Sequence, residues 1–512
     1  MLRSDASGSV DLFIVGGGIN GAGIARDAAG RGLKVLLAEQ ADLASATSSA
    51  STKLIHGGLR YLEYYEFRLV REALIEREVL LKAAPHIIWP LTFVLPHVSA
   101  LRPAWMVRLG LFLYDHLGGR EKLPASRGLD LRRDPAGAPL RDSYRKAFSY
   151  SDCWVDDARL VALNARDAAD HGATILTRTR CTAARRNGDR WIATLQNVAS
   201  GETREITARV LVNAAGPWVA DFIDTVGVKR KHALRLVKGS HIIVPKLFDG
   251  AQAYILQNND RRIVFAIPYE QDFTLIGTTD LTYEDDPAQV RISAEETGYL
   301  CSVINRYFKR NISPADVVRT YSGVRPLYDD AAQSASAVTR DYVFELDTEG
   351  PPLLSIFGGK ITTFRKLAEH ALDRLRDLLP QMGPAWTADG VLPGGDMPDA
   401  DFERFLGEAR ADWPWLPADL ARRLARAYGT RMQRILANAD SLANLGRHFG
   451  DGLYEREVRY LVDQEWAMSA DDVLWRRSKL GLHVAGDTAA ALESWFAATA
   501  PGAVRGVQAG VA

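Results

Sequence analysis

Cysteine is scarce in this sequence of 512 residues. Its three cysteines, Cys153, Cys181 and Cys301, lie far apart and form no CxxC pair. A disulfide framework and a cysteine-rich metal site both need paired or clustered thiols, so the sequence supports neither. No DxDxDG loop is present either, which argues against a calcium site of the EF-hand type. We therefore expect a protein of a reducing compartment, and we predict no metal site.

Long apolar runs and an excess of one charge are lacking as well. No stretch of about 18 uncharged apolar residues occurs, which argues against a transmembrane helix. Lys and Arg number 63 and Asp and Glu number 63, so the basic excess typical of nucleic-acid binders is missing. The opening MLRSDASGS contains no apolar segment, and we expect neither a secretory signal nor a transit peptide. The length predicts two or three domains with a large core.

The start of the chain has the pattern of a βαβ unit. The predicted elements are a strand at Val10–Val15, a helix at Ile19–Gly30 and a strand at Lys34–Ala38. Gly16, Gly18 and Gly21 have the GxGxxG spacing, which suits a tight turn, close approach to a pyrophosphate and close packing of helix on strand. The helix N-terminus adds backbone N–H groups and a partial positive charge for the phosphates.

Two features after the second strand indicate which nucleotide is bound. Glu39 ends that strand, where a carboxylate accepts hydrogen bonds from ribose hydroxyls and disfavours a ribose phosphate. The hydroxyl-rich segment ATSSASTKLIHGGLRYLE, residues 46–63, then leads to a double glycine. Such a segment can follow a diphosphate and a flavin ring, which favours FAD over NAD. A Ser/Thr-rich surface loop is the alternative interpretation.

The rest of the chain divides into a part with strands and a part with helices. Further strand-like runs lie at Arg209–Gly216, His241–Pro245, Arg262–Pro268, Phe273–Asp280 and Leu353–Gly359. Beyond about Asp396 helical patterns replace them, as in Asp419–Gly429 and Glu455–Trp466. The stretch LPGGDMP, residues 392–398, is the predicted linker.

Several longer stretches carry a family resemblance. They are GGGINGAGIARDAAGRGL, ATSSASTKLIHGGLRYLE, EFRLVREALIEREVLL, LRPAWMVRLGLFLYDHLG, YSDCWVDDARLV, NAAGPWV, KGSHIIVP, YSGVRPL, TRDY, FGGKITTFRKLAEHAL and YLVDQEWAMSADDVLWRR. In these stretches the chain resembles the FAD-dependent, respiratory glycerol-3-phosphate dehydrogenases, within the wider glycine-oxidase-like flavoproteins. The resemblance covers nearly the whole chain.

The resemblance implies an α/β plus α+β fold in three parts. A Rossmann-like FAD-binding domain of the glycine-oxidase type would comprise residues 10–100, 150–235 and 340–378. An antiparallel-sheet substrate domain with a membrane-facing segment would comprise 101–149 and 236–339. A C-terminal helical domain would comprise 392–512.

The resemblance also implies a reaction and a set of substrate residues. Glycerol 3-phosphate would be oxidised to dihydroxyacetone phosphate by hydride transfer to FAD, and electrons would pass to a membrane quinone. His241 is the preferred general base, because an imidazole titrates near neutrality. Arginine pairs well with phosphate. The other predicted catalytic or substrate-binding residues are Arg325, Lys360, Arg60, Tyr61 and Arg340. Surface or ion-paired cations are the alternative interpretation of these side chains.

The predicted FAD-binding residues come from the glycine cradle, the hydroxyl-rich segment and two later turns. They are Gly16, Gly18, Asn20, Gly21, Glu39, Thr47, Ser48, Ser49, Ser51, His56, Gly57, Gly216, Pro217, Gly359 and Thr362. His56 precedes a double glycine and suggests a covalent flavin link, but the family holds FAD noncovalently. We therefore predict noncovalent FAD, with His56 as a contact or structural residue.

A basic and apolar segment predicts contact with a membrane surface. Residues 101–146 contain ten Lys or Arg against five Asp or Glu. Bulky apolar residues open this segment, namely Trp105, Met106, Leu109, Leu111, Phe112, Leu113 and Leu117. A helix lying among lipid headgroups has this pattern, although an ordinary amphipathic core helix has it too.

Partners, location and rival functions complete the predictions. We expect a peripheral enzyme on the cytoplasmic face of a bacterial inner membrane, with an anionic membrane surface, a quinone and a second copy of the chain as partners, and no nucleic acid. An FAD-dependent amine or amino-acid oxidase is the rival enzyme. A nucleotide-sensing or scaffold protein without chemistry is the rival of a different class.

Overall fold

The computed structural model describes residues 8–98, 103–229, 234–260, 262–328 and 341–499. The strands are β1 Ser9–Val15, β2 Val35–Ala38, β3 Leu54–Ile55, β4 Ile88–Pro96, β5 Arg127–Asp130, β6 Lys146–Val155, β7 Thr174–Leu176, β8 Thr179–Asn187, β9 Arg190–Asn197, β10 Thr203–Asn213, β11 Leu234–Pro245, β12 Ala253–Gln257, β13 Ile263–Tyr269, β14 Phe273–Gly277, β15 Leu281–Thr282, β16 Arg319–Tyr328, β17 Val343–Asp347, β18 Leu353–Phe357, β19 His448–Gly450 and β20 Leu453–Tyr454. The helices are α1 Ile19–Gly30, α2 Phe67–Ala83, α3 Ala104–Leu117, α4 Asp157–Asp170, α5 Val219–Thr225, α6 Ala294–Tyr307, α7 Phe364–Arg374, α8 Phe402–Asp412, α9 Ala418–Tyr428, α10 Met432–Leu436, α11 Glu455–Glu465 and α12 Gly486–Thr499.

The first sheet contains the predicted βαβ unit. Its order is β17-β18-β10-β1-β2-β7, with β9 and β8 continuing from β10. Neighbours from β18 to β7 run parallel, and α1 packs between α4 and α7. Strands covered on both faces need continuous apolar sequences, and LFIV of β1 meets that need with Leu12, Phe13 and Ile14 fully buried.

The second sheet holds the elements that the sequence predicted for substrate. Its order is β15-β11-β14-β13-β12-β4-β6-β3, with β16 paired to β11 and β5 to β6. The pairing is antiparallel except between β12 and β4, which run parallel. Helix α6 packs on this sheet and begins with a capping box formed by Ser293 and Glu296.

Several strands from segments predicted for the FAD-binding domain lie in the second sheet. Residues 10–100 and 150–235 were assigned to that domain, yet β3 and β4 pair with β6, which is mostly within 150–235, and β4 also pairs with β12. An apolar run predicts a buried strand but carries no information about which sheet it joins.

The C-terminal helices form a separate core, and buried ion pairs connect this core to the part of the chain that contains the first sheet. Side chains of α8 to α12 make this core, which includes Tyr428, Val458 and Leu492. Arg159 of α4 pairs with Glu465 of α11, and both side chains are almost fully buried. A segment of π-helix, Asp472–Arg477, reaches back so that Arg477 binds Asp42 through two hydrogen bonds of 2.8 Å.

Within the described ranges, no helix has the length and apolar character needed to cross a bilayer. The same residues contain no group of three or more His, Cys, Asp or Glu side chains placed to hold a metal ion.

Candidate active site

The loop between β1 and α1 is shaped for close approach of a ligand. Gly16 has φ +113°, a left-handed value that favours glycine. A Cβ on Gly16 would collide with the carbonyl of Ala214, and one on Gly21 would collide with the carbonyl of Gly16. Gly18 precedes α1 without a side-chain cap. Ile19 N–H donates to Ser48 Oγ, and the other N–H groups of the first turn suit a phosphate site.

Asn20 connects this cradle to the turn after β18. Its Nδ2 donates to the carbonyl of Gly358 at 3.1 Å, and Gly358 and Gly359 have φ of +77° and +93°. Its Oδ1 is buried and has no hydrogen-bond partner among the described residues. A buried amide oxygen needs a donor, so the position fits a ligand that brings a hydroxyl or N–H group to it.

Both oxygens of Glu39 already accept backbone hydrogen bonds. Gly17 donates to Oε2 at 2.7 Å and Ala41 donates to Oε1 at 2.8 Å. Burial raises the pKa of Glu39, and these two bonds oppose the rise. Because each carboxylate oxygen has two lone pairs, the side chain can still accept from ribose hydroxyls. Glu39 thus shapes the cradle as well as offering the predicted ribose contact.

Hydroxyls of the segment 47–53 bind the protein itself. Thr47 Oγ1 donates to the carbonyl of Val324 at 2.6 Å, and Ser48 Oγ accepts from Ile19 N–H at 2.9 Å. Ser51 Oγ donates to Asp157 at 2.7 Å. These bonds fix the segment between α1 and β16, and its contact with FAD stays a prediction.

Lys53 and Asp157 form a buried ion pair beneath this segment. Lys53 Nζ lies 2.7 Å from Asp157 Oδ1, and it also donates to the carbonyl of Ser49 at 3.0 Å. Burial lowers the pKa of Lys53, while the charge of Asp157 raises it. The ammonium also lies 5.2 Å from the ring centre of Tyr321.

His241 lies on β11 of the second sheet, between β14 and β16, and is 1% exposed. Its Nε2 lies 3.0 Å from Thr52 Oγ1, and its Nδ1 has no hydrogen-bond partner among the described residues. Burial lowers the pKa of His241 well below 6.5, and the charges of Arg325 and Lys53 lower it further. The imidazole is therefore neutral at physiological pH, the state that a general base requires.

Arg325 lies on β16 with its guanidinium directed across β11. Nη1 pairs with Asp280 at 2.5 Å, and Nη2 lies 3.3 Å from Thr278 Oγ1. A Cβ on Gly239 of β11 would collide with this guanidinium, and one on Gly277 of β14 would collide with the ring of His241. Two glycines on adjacent strands thus make the space in which these two predicted residues lie.

Two further predicted residues are brought together beside the double glycine. Lys360 Nζ lies 4.0 Å from the ring centre of Tyr61, a cation–π arrangement. Gly58 has φ +75°, and a Cβ there would collide with the Tyr61 ring. Arg60 instead directs Nη2 to Tyr64 Oη at 3.3 Å.

The remaining predicted residues that the structure describes lie in turns and loops. His56 N–H donates to Thr362 Oγ1 at 3.2 Å, which joins the hydroxyl-rich segment to the turn after β18. Gly216 has φ +57° and Pro217 is buried in the turn after β10. Arg340 lies outside the described residues.

The sequence interpretation missed four side chains that shape the site. Thr52 and Tyr321 contact His241, Asp280 pairs with Arg325, and Tyr114 accepts from the N–H of Gly57 at 2.8 Å. All four lay within stretches that the sequence interpretation had singled out. Their partners come from other strands, so chain order alone gave no signal for these pairs.

Comparison with known proteins assigns the family. A family model described as "FAD dependent oxidoreductase" matches residues 11–365, and one described as "C-terminal domain of alpha-glycerophosphate oxidase" matches 385–501. The aerobic glycerol-3-phosphate dehydrogenase of Escherichia coli is 53% identical over 489 residues, which is 95% of this chain and 97% of that protein. The chain belongs to the FAD-dependent glycerol-3-phosphate dehydrogenase family.

Other relatives refine this assignment. The D-erythritol 1-phosphate dehydrogenase of Brucella abortus is 60% identical over 488 residues, covering 95% of this chain and 97% of its own. A solved glycerol-3-phosphate dehydrogenase from Bacillus halodurans complexed with FAD is 30% identical, with a TM-score of 0.76 over 93% of this chain and 87% of that one. A glycine oxidase from Geobacillus kaustophilus shares the fold, with a TM-score of 0.55 at 20% identity over 75% of this chain and 98% of that one. The predicted fold class is therefore confirmed.

FAD is the cofactor of this family, and the residues present fit it. Cβ atoms at Gly16 and Gly21 would collide with backbone carbonyls, so the loop keeps its close-packed turn only with glycine, and the buried Oδ1 of Asn20 has no donor among the described residues. Gly16, Gly18 and Gly21 would hold the pyrophosphate and Glu39 the ribose. The turn at Gly359 would lie along the flavin.

Proposed function

We propose that this chain oxidises sn-glycerol 3-phosphate to dihydroxyacetone phosphate and passes the electrons to a membrane quinone. The observation that carries the proposal is the pair of His241 and Arg325 on the adjacent strands β11 and β16, a buried neutral imidazole and a guanidinium that is 24% exposed. The identity of 53% to the Escherichia coli enzyme supports the same substrate.

His241 would remove the proton of the C2 hydroxyl. FAD, when bound, supplies the acceptor for the hydride that leaves C2. The imidazole is buried, so water does not compete for its lone pair, and nearby positive charge keeps it neutral until the substrate proton arrives. Thr52 Oγ1, at 3.0 Å from Nε2, holds the ring in one orientation.

Cations of the site would hold the phosphate. Arg325 offers the planar guanidinium that pairs with two phosphate oxygens, and Asp280 fixes its position. Lys360 beside Tyr61 adds a second cation, and Arg60 and Arg340 complete the proposed set. As part of this proposal, we assign proton transfer to His241 and phosphate binding to Arg325 and Lys360.

A longer polyol phosphate is the second candidate substrate. The relative from Brucella abortus named for D-erythritol 1-phosphate is 60% identical to this chain. Like glycerol 3-phosphate, that substrate is a monophosphate of a linear polyol, so the same cations and base could serve it. The ratio of kcat/KM for the two compounds assigns the physiological substrate.

Anaerobic reduction of the bound flavin tests the proposal. Glycerol 3-phosphate should bleach the flavin absorbance without oxygen, and an added quinone analogue should restore it. A flavin that is not bleached by either polyol phosphate would refute the proposal. Bleaching by an amine or amino acid, with peroxide formed in air, would favour the rival oxidase.

The exposed face of α3 supports a peripheral position on an anionic membrane. Trp105, Met106, Leu109 and Phe112 are 66%, 45%, 51% and 52% exposed, although Leu111, which was predicted to share this surface, is buried. The helix turns Leu111 inward because it lies on the opposite face. Tyr64, Tyr65 and Phe67 are also exposed, on segments that pack on α3. The location would be the cytoplasmic face of a bacterial inner membrane.

Three further predictions stay part of this proposal. The chain would divide into an FAD-binding domain, a substrate domain and a C-terminal helical domain at 392–512. It would hold FAD noncovalently, and a homodimer is its proposed assembly.

A further inference from the structure

One face of helix α3 is exposed, and the opposite face packs near the predicted flavin segment 56–58. Its outer face exposes Trp105, Leu109 and Phe112, whereas Leu111 and Tyr114 are 0% and 2% exposed on the inner face. The helix packs on α2 and on the 3-10 turn Leu59–Tyr64, which carries the predicted substrate residue Tyr61. A displacement of α3 would therefore also move the turn that carries Tyr61.

Tyr114 is the side chain through which the inner face meets the double glycine. Its Oη accepts from Gly57 N–H at 2.8 Å and lies 2.8 Å from each oxygen of Asp152. Because the phenol has one proton, it donates to the carboxylate and accepts from the backbone. Arg77 donates to Asp152 at 2.9 Å, and all three residues are at most 3% exposed.

Burial makes this chain of hydrogen bonds stiff. Tyr114 keeps its proton, since burial and the charge of Asp152 raise its pKa well above 10. If the hydroxyl is lost, Gly57 N–H keeps only its contact with the carboxylate of Asp152, and this buried carboxylate loses one donor, which costs more than an ordinary hydrogen bond contributes. Tyr114 thus connects the position of Gly57 to that of α3.

Gly57 is placed between two groups of the proposed site. On one side, His56 N–H donates to Thr362 Oγ1 in the turn after β18. On the other side, Gly58 contacts the ring of Tyr61, above which Lys360 lies. A shift of Gly57 would move the predicted flavin contacts and the predicted substrate cation together.

We propose that Tyr114 is a positioning residue that makes the geometry of the flavin segment 56–58 depend on the seating of α3 against lipid. This inference rests on the proposed function for its membrane surface and its flavin contacts. When the outer face of α3 is covered by lipid, the helix would be held in one position, and Tyr114 would hold Gly57 in the arrangement that serves electron transfer.

The test compares the FAD-loaded wild type with Tyr114→Phe, and Tyr150→Phe is the matched control. Tyr150 is also buried, stacks on Phe93 and lies edge-on to Tyr114, so its substitution makes the same chemical change in the same cluster. Two quantities are measured with and without vesicles of equal parts phosphatidylcholine and phosphatidylglycerol. They are hydrogen exchange of the peptide that contains Gly57, and the midpoint potential of the flavin.

We expect vesicles to slow exchange at Gly57 and to shift the flavin potential in the wild type and in Tyr150→Phe. In Tyr114→Phe, exchange at Gly57 should be on the order of tenfold faster, and neither quantity should respond to vesicles. A Tyr114→Phe protein that responds as the wild type does would overturn the proposal.

Measurements on the wild type keep the proposal testable even if Tyr114→Phe does not fold. Wild-type protein that sediments with the vesicles and shows no change in exchange at Gly57 overturns the coupling alone. Wild-type protein that does not sediment overturns the membrane part of the proposed function and the coupling with it. The anaerobic bleaching assay on the same sample reports on the substrate separately.

Discussion

The ring of His241 stacks on the ring of Tyr321, with centroids 4.7 Å apart and an interplanar angle of 20°. The two residues are directly paired across β11 and β16. Tyr321 Oη donates to the carbonyl of Ser51 at 2.9 Å, and Thr52 reaches the imidazole from the same segment. The predicted base and the predicted cofactor segment are therefore held by one tyrosine.

This environment leads to a prediction about pH. Because burial and nearby cations hold the pKa of His241 well below 6.5, protonation of this residue should not reduce kcat/KM between about pH 6 and 8. Steady-state kinetics with glycerol 3-phosphate measure the profile. An acidic limb near pH 6.5 that disappears in His241→Gln would contradict the assigned environment.

Substitution of Arg325 should separate catalysis from cofactor binding. Arg325→Lys keeps the charge but loses the planar fork held by Asp280, so we expect kcat/KM to fall by roughly one to two orders of magnitude, about 1.4–2.8 kcal/mol. The visible flavin spectrum should be retained. Arg319→Lys is the control, since Arg319 begins the same strand and its side chain lies over Trp475. Equal losses in both variants would exclude a specific role for Arg325.

Glu39→Gln should weaken FAD binding and the fold together. Both carboxylate oxygens accept hydrogen bonds from backbone N–H groups. In glutamine an NH2 group replaces one of these oxygens, and this group cannot accept a hydrogen bond from the N–H that it faces. We expect a cost of about 1–3 kcal/mol for the donor that is left unsatisfied. Fluorescence titration of FAD and thermal unfolding of the protein measure the two effects. Glu202→Gln, at an exposed position, is the control and should change neither.

Local features of the site follow from the sequence, because they depend on neighbours in the chain. The turn at Gly16 and the start of α1 lie within one βαβ unit, and the bounds of β1 and β2 agree with the predicted strands to within one residue. The glycine spacing alone predicts the positions at which a Cβ cannot be accommodated.

Contacts made across the sheet do not follow in this way. His241 meets Tyr321 only because β11 pairs with β16 in one register, and a shift by one residue would turn Tyr321 to the other face. The same holds for α3, where apolar spacing predicts an amphipathic helix but does not state that Tyr114 meets Gly57. Pairing between distant segments has no local signal in one sequence.

Charge on the outer face of α3 should abolish vesicle binding. Leu109 and Phe112 are each about half exposed, and a carboxylate at either position would have to lose water on entering the lipid interface. The double variant Leu109→Asp with Phe112→Asp should stay in the supernatant when anionic vesicles are sedimented. Val198→Asp places the same charge at another exposed apolar residue and should sediment as the wild type does. Co-sedimentation of the double variant would place the membrane surface elsewhere.

Removal of one partner from the pair of Arg159 and Glu465 should loosen the C-terminal core from the first sheet. Both side chains are at most 1% exposed, and Arg159 lies 4.9 Å from the ring centre of Tyr428. Arg159→Met leaves the carboxylate of Glu465 buried with Arg477 as its remaining cation, at 3.8 Å. We expect the free energy of unfolding to fall by about 3–5 kcal/mol.

The matched control for this pair is Arg422→Met. Arg422 binds Glu403 with similar bidentate geometry at 2.9 Å, but the two side chains are 44% and 63% exposed. Water screens such a pair, so its loss should cost no more than about 1 kcal/mol. Urea unfolding followed by tryptophan fluorescence compares the two variants. Equal destabilisation of the two variants would mean that burial does not determine how strongly the ion pair holds the C-terminal core to the first sheet. A larger loss in Arg422→Met would mean that the ion pair between α8 and α9 matters more for stability.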